Sequence, residues 1–561
     1  MKLLPTLAII LVLSSSLGLA SGSLPHRINP TSPTVSDKIL KLDVKWSCLL
    51  CSVGLDLLMQ YVVVHPQPFD VFIEEHFCTL FKNELLRDTC IEFIKIYGGS
   101  IIAGLMSKLS SDEICQLVGL CDSGECRLRP KKYPYPQLSF TIEGYLKYRG
   151  MPIKQNGLKP WQWIKDLIDK VFKDHQPAFD LDSDGFSDVS WLRGSNWRGK
   201  DCNDLDGSIY PGRKINPKFN PGIDFNCNGI KGIDPQTKKP WKELLCENTN
   251  PLGVAVVGDS AGAHFAIPSA WFNVSQWASG AFDDLLTRFL NEIDLPHLSG
   301  YTGYVDSTEN LSVRSVYKYL REMNLCNHRD FQNIAVNGGD SLETISNMKA
   351  FKRDPKNDHP MLVFLELIGN DVCYGPTEPA DFKENILNVL DLLNSTLPKG
   401  SHVVMLGLVN GSLLYENLHD SLHPIGVTYE DFYEYITCQQ SNPCVGWLTK
   451  DPVARAATTK RAFELNDQYK AIMNEGRVWA NFDHVYYDFP TEDIMARAEA
   501  QGIDIRELIE PVDGFHPSQL FHAMLGDWLW ETLKRDRPMW IGETNPNNQR
   551  IIQLFGNQGG H

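Results

Sequence analysis

Gly258, Asp259 and Ser260 follow an apolar run, Leu252 to Val257, and precede a small-residue, helix-compatible stretch that begins at Ala261. A serine at such a strand-to-helix turn stands at the positive end of a helix dipole, where free backbone N–H groups can face the oxygen of a bound carbonyl. Its hydroxyl attacks only when a base takes its proton, and a histidine, titrating near neutrality, suits that task. Asp513, Gly514, Phe515 and His516 supply the candidate base. The Asp-x-x-His spacing lets the carboxylate reach the nearer ring nitrogen, which holds the tautomer and stabilises the imidazolium. Gly338 and Gly339 follow the apolar stretch Ile334 to Val336, and Gly369, Asn370 and Asp371 follow Met361 to Ile368. The N–H of Ser260, the N–H of Gly339 and the Asn370 amide can surround the charge developing on a carbonyl oxygen, each donor worth roughly 3 kcal/mol of barrier. The chemistry is acyl transfer to water. Taken singly, Gly339 could merely supply a positive φ, Asn370 cap a helix and His516 satisfy a structural bond. His264, His402, His419, His423 and His522 have no spacing that assigns them a role.

These four blocks resemble those of the GDSL, or SGNH, hydrolases, from about residue 250 to the end of the chain. The resemblance implies Ser260 as nucleophile, His516 as general base, Asp513 as its orienting carboxylate, and Ser260, Gly339 and Asn370 as the oxyanion hole. The elements that must position them read as an α/β domain of three layers. The segments Leu252 to Val257, Met361 to Ile368 and Val403 to Leu408 are continuous apolar runs, as strands of a buried parallel sheet are, with helical stretches between them. In such a sheet the site lies at the carboxyl ends of the strands.

A chain of 561 residues exceeds the ~250 to 300 at which single cores stop growing, so more than one domain is expected. Lys2, the largely apolar run Leu3 to Leu13 and the small residues around Ala20 to Ser23 read as a signal peptide over residues 1–23, with 24–45 a candidate propeptide. No other apolar stretch approaches the ~20 residues that span a bilayer, so a soluble mature protein is expected, secreted or carried to endosomal and lysosomal vesicles. Asn273, Asn310, Asn394 and Asn410 begin glycan acceptor triplets, which suits that route. A net charge of −16 argues against nucleic acid as a partner.

Residues 46–121 form short amphipathic helices broken by polar or Pro residues, with Leu49, Val53, Leu57 and Leu58 at helical spacing. Their six cysteines resemble the pattern of a saposin-like domain, all-α and stapled by disulfides. That resemblance implies the pairs Cys48 with Cys121, Cys51 with Cys115 and Cys78 with Cys90, and it implies lipid binding at a membrane or micelle surface. Four basic residues stand against nine acidic ones between Trp46 and Cys121, so an anionic lipid would be met through its chains. The bland alternative is a stapled prodomain that only stabilises or inhibits the hydrolase.

Residues 122–160 read as an exposed linker: from Arg127 to Pro160 eight basic residues face the single acid Glu143, and Pro130, Pro134 and Pro136 interrupt any helix. Lys147 and Arg149 would attract a processing protease, giving two disulfide-linked chains. Seven cysteines precede this linker's basic run and seven follow it. If all are bridged, at least one disulfide must cross, and the odd Cys126 is the natural tether.

Residues 161–249 carry three oxygen-rich loops: Asp180, Asp182, Asp184 and Asp188; Asp201, Asn203, Asp204 and Asp206; and Asp224, Asn226 and Asn228. Alternating carboxylates with a glycine at the sharp turn suit structural calcium. The first loop resembles the start of an EF-hand, but Trp191 stands where the twelfth-position Glu would be. Cys202 and Cys227 lie inside the second and third loops and could staple them.

Signal segment, saposin-like module, acidic loops and GDSL hydrolase, in this order over nearly the whole chain, closely resemble one family of acyl-chain-releasing hydrolases. That resemblance implies release of secondary, acyloxyacyl-linked fatty acyl chains from the lipid A of bacterial lipopolysaccharide. The residues alone support a lipid ester hydrolase, with a phospholipase or lysophospholipase, or an inactive lipid-binding protein, as rival readings.

Overall fold

The computed structural model describes residues 35–64, 68–121, 126–129, 175–214, 220–277, 282–373 and 375–561, with a few positions between 138 and 148. The signal segment, the first half of the candidate propeptide and most of the linker lie outside the described residues. The N-terminal module comprises the helices α1 (Val35–Val64), α2 (Glu84–Met106) and α3 (Ser111–Leu117). Asn83 caps α2 through Leu86 N, and Ser110 with Glu113 closes a capping box on α3, which satisfies donors the first turns leave unpaired. Disulfides join Cys48 to Cys121, Cys51 to Cys115 and Cys78 to Cys90, the pairing the saposin-like pattern implies.

The larger domain holds one five-stranded sheet, entirely parallel, in the order β2-β1-β3-β4-β5. The elements that build the sheet layers and the site are, in chain order, β1 (Gly253–Gly258), α4 (Ser260–Ala263), α5 (Val316–Met323), β2 (Phe331–Asn333), β3 (Met361–Glu366), α6 (Pro379–Thr396), β4 (Ser401–Leu406), α7 (Tyr429–Cys438), α8 (Pro452–Asn474), β5 (Phe482–Tyr487) and α9 (Gln519–Asp536). Alternation along β1, β3 and β4 sends Val257, Val363 and Met405 into one layer, against Ile386 and Leu390 of α6 and Leu465 and Tyr469 of α8. It sends Val256, Phe364 and Val404 into the other, against Tyr317 of α5 and Leu525 and Leu529 of α9. Both faces are covered, which is why these strands read as unbroken apolar runs.

The acidic segment closes an open edge of this sheet. Asn333 N donates to the Trp197 carbonyl and Gly199 N to the Phe331 carbonyl, so β2 has no bare outer rim. Cys202 pairs with Cys227, Cys246 with Cys326 and Cys373 with Cys444.

The two parts share one apolar core. Tyr61 of α1 stacks on Trp277, Phe81 stacks on Phe282, and Ile102 and Ile114 belong to the same buried cluster as Phe272, Phe432 and Tyr433. Cys126 bonds to Cys438 across a separation of 312 residues, the crossing disulfide that the odd cysteine counts require. The exposed-linker expectation is corrected at its start. Leu128 and Arg129 are buried, and the Arg129 guanidinium pairs with Asp56 of α1 at 2.6 and 2.7 Å, because leaving either charge alone in that interior would be costly. Among the described residues no helix is long and apolar enough to cross a membrane.

Candidate active site

Ser260 heads α4 at the carboxyl end of β1, between β2 and β3 in the sheet, and Asp259 caps that helix by accepting from Ala261 N at 2.9 Å. The second Asp259 oxygen accepts from Ile368 N at 2.9 Å, which ties the serine turn to the end of β3. His516 arrives from the turn before α9. Its Nε2 lies 2.7 Å from Ser260 Oγ and its Nδ1 lies 2.7 Å from Asp513 Oδ2. The other Asp513 oxygen accepts from Phe515 N at 2.8 Å and His516 N at 3.1 Å, so the turn itself fixes the carboxylate. Ser260, His516 and Asp513 are 8, 5 and 2 % exposed. Residues 256 positions apart thus form one hydrogen-bonded relay, with the carboxylate able to hold Nδ1–H while Nε2 accepts from the hydroxyl.

Beneath the serine turn lie two buried carboxyl groups, Asp259 and Glu366, whose pKa values burial raises. Burial pushes Asp259 up to about 6 against the pull of the Ala261 and Ile368 amides. Burial also raises the neighbouring Glu366 well above the carboxylate range, and the charge of Asp259 adds to it.

Asn370 heads the turn after β3 and lines the same cleft as Ser260. One amide hydrogen of its Nδ2 goes to the Gly339 carbonyl at 3.0 Å, and a primary amide carries a second. Gly339 departs from expectation. Its N–H donates to the Val336 carbonyl at 3.0 Å across a turn in which Gly338 takes φ 74°, so its visible part is to anchor Asn370. The turn needs that amide bond to close, and spacing alone does not reveal the competition.

The cleft above Ser260 spans about 800 Å³ of non-atom space, part of it open to solvent. Leu413, Phe489, Met495, Ile505 and Leu508 make most of it apolar. Leu414, Ile509 and Phe515 line it too, and the same three pack against the core shared with the N-terminal module. Asn410, one of the candidate glycan sites, is also in its wall, accepting from Ser412 and Thr459 hydroxyls. Asn310 is exposed, and Asn273 and Asn394 are half-buried.

The acidic loops bring five of the eleven candidate ligands together. Carboxylate oxygens of Asp180, Asp182 and Asp204 lie within 4.8 Å of one another, as do those of Asp182, Asp184 and Asp201. One oxygen each of Asp182, Asp184 and Asp201 is buried without a hydrogen-bond partner, which fits a hard cation bound between them. Without a cation, burial pushes Asp184 up to about 7 and Asp201 to about 6.

The other six do not join these clusters. Asp188 and Asp206 are exposed, and Asp206 instead accepts from Ser208. Asn203 turns its backbone N–H to Asp201. In the third loop the buried Lys242 ammonium contacts both Asp224 (2.8 Å) and Asn226, a fixed cation from a distant helix that loop composition cannot announce. Asn228 accepts from Ile230 N and donates to the Cys326 carbonyl.

Known proteins agree with this geometry. The GDSL-like Lipase/Acylhydrolase family matches residues 254–529, and Saposin-like type B, region 2 matches residues 88–121. The acyloxyacyl hydrolase of Oryctolagus cuniculus is 36% identical over 544 residues, covering 92% of this chain and 94% of its own. That of Mus musculus is 35% identical over 541 residues (92% and 93%), and that of Homo sapiens 34% over 568 residues (97% of each). The chain is therefore an ester hydrolase acting on lipids, and it belongs to the acyloxyacyl hydrolase family.

Proposed function

We propose that this protein releases secondary, acyloxyacyl-linked fatty acyl chains from the lipid A of bacterial lipopolysaccharide. The observation that carries this is the apolar cleft over Ser260, whose wall continues into the core of the saposin-like module. A multi-chain lipid held by that module can present one chain to the cleft, each buried methylene contributing about 0.8 kcal/mol. His516 Nε2 takes the Ser260 proton as Oγ bonds to the acyl carbon. The carbonyl electrons move to oxygen, where the Ser260 N–H and the Asn370 amide donate to them. Collapse breaks the ester C–O bond, and His516 returns its proton to the leaving hydroxyl of the underlying acyl chain. Water, deprotonated by the same imidazole, then frees the fatty acid and restores Ser260.

Mass analysis of products from intact lipopolysaccharide tests the substrate. Loss of secondary chains only is expected, with phospholipid consumed far more slowly. Preferential release from phospholipid would favour the phospholipase reading, and no release from either would favour a lipid-binding protein. Asn370→Ala should lower kcat about 10²- to 10³-fold with little change in KM, as loss of one oxyanion donor does.

For the acidic loops the reading is structural calcium held by Asp180, Asp182, Asp184, Asp201 and Asp204, none of which lines the cleft over Ser260. A chelator should lower Tm, since a ligand bound only by the folded state stabilises it. The drop should be larger at pH 7 than at pH 5. Without the cation, burial raises the Asp184 and Asp201 pKa values above those of the unfolded chain, so stability falls as pH rises from about 4 to about 7. Scanning calorimetry with and without chelator at both pH values checks this, and superimposable melts would end the calcium reading. Secretion with endosomal or lysosomal residence, and cleavage within the linker into two disulfide-linked chains, complete the proposal.

A further inference from the structure

The catalytic turn has little regular structure of its own, yet three of its carbonyls are held from one direction. The Tyr429 hydroxyl donates to Pro511 O at 2.5 Å, His423 Nε2 to Val512 O at 2.6 Å and the Tyr433 hydroxyl to Gly514 O at 2.7 Å. These carbonyls flank Asp513 on both sides. Ile425 N donates to His423 Nδ1 at 3.1 Å, so the ring is neutral with its proton on Nε2, and it stacks on Phe432 at 4.0 Å. All three donors sit between 423 and 433, on the turn before α7 and its first turns.

The opposite side of that segment is gripped by the saposin-like module and the residues that follow it. Arg129 donates to Ile425 O at 2.8 Å and Gly426 O at 3.2 Å while paired with Asp56. Gln60 donates to Ile425 O at 2.9 Å, and the Tyr435 hydroxyl reaches Asp112. The Cys126–Cys438 bond closes the far end of α7.

We propose that His423, Tyr429 and Tyr433 are positioning residues for Asp513 and His516, and that the module, through Asp56, Gln60 and Arg129, sets where they stand. The module then governs turnover even of an ester too short to need lipid presentation. The inference rests on Ser260 being the nucleophile. A misplacement of about 1 Å in such a constellation costs on the order of 10²-fold in rate.

The test uses the full-length, disulfide-intact protein with p-nitrophenyl butyrate, alongside the rate at which a fluorophosphonate probe labels Ser260. Tyr429→Phe with Tyr433→Phe removes two donors and keeps the packing. The expected result is a 10- to 100-fold fall in kcat, KM within twofold, labelling slowed in parallel and Tm nearly unchanged. His423→Phe should behave alike, and His423→Gln, which can still donate and accept, should recover most of the rate. Replacing the ion pair by an apolar pair, Asp56→Leu with Arg129→Met, should lower kcat on the same soluble ester. Full activity in the folded Tyr variants, a change confined to KM, or no recovery by His423→Gln would overturn the positioning role. Unchanged turnover in the folded Asp56/Arg129 double variant would overturn the module's part. Failure of the probe to label Ser260 in the unmodified protein would remove the catalytic reading itself.

Discussion

Ser260→Ala is expected to abolish ester hydrolysis, with kcat down by at least ~10⁴-fold, while the folded protein and its lipid binding survive. Nucleophile and base act as a unit, so removing either one removes nearly the whole advantage of the pair and leaves only binding and the oxyanion donors. The Ser260 side chain bonds to His516 and, among the described residues, to no other group. Deleting one hydroxyl therefore leaves the cap at Asp259 and the sheet intact. Product release from lipopolysaccharide, measured beside a melting curve, checks both halves. Turnover near the unmodified rate would reject Ser260 as nucleophile.

Asp513→Asn is expected to cost about 10⁴-fold in kcat for a different reason. Asp513 Oδ1 receives the amides of Phe515 and His516, and Asn can keep that arrangement with its carbonyl oxygen. Its NH₂ then faces His516 Nδ1 where a carboxylate stood. Two donors cannot face each other, so Nδ1 must become the acceptor and the proton moves to Nε2, toward Ser260 Oγ. The imidazole then offers a donor where the reaction needs a base. Folding should be little affected, because every backbone bond to the side chain persists. A kcat within tenfold of the unmodified enzyme would show that Asp513 does not set the tautomer.

The parts of this architecture that could be read from the chain are those whose cause is local. Asp513 and His516 meet because three residues of turn bring them together, and Ser260 ends an apolar strand because a nucleophile turn needs one. The runs around β1, β3 and β4 are legible since both sheet faces are covered. β2, only Phe331–Asn333, lies one step before the apolar stretch Ile334 to Val336, and β5 reads as mixed because His484, Tyr486 and Tyr487 are only partly buried. Roles set by distant partners leave no such mark. Lys242 reaches a loop 16 to 18 residues away, His423 acts on a carbonyl 89 residues away, and Gly339 spends its N–H within a turn. Arg129 reads as one more charge in a basic run until its burial against Asp56 is seen.

The covalent link between Cys126 and Cys438 has a consequence for enzyme concentration. A backbone cut anywhere from 130 to 174 would leave two polypeptides whose reunion after any transient parting is unimolecular. The local concentration of one around the other would stay near the millimolar level set by a short tether, however far the solution is diluted. Specific activity of nicked protein should then be independent of dilution, and should become dilution-sensitive only after that single bond is reduced.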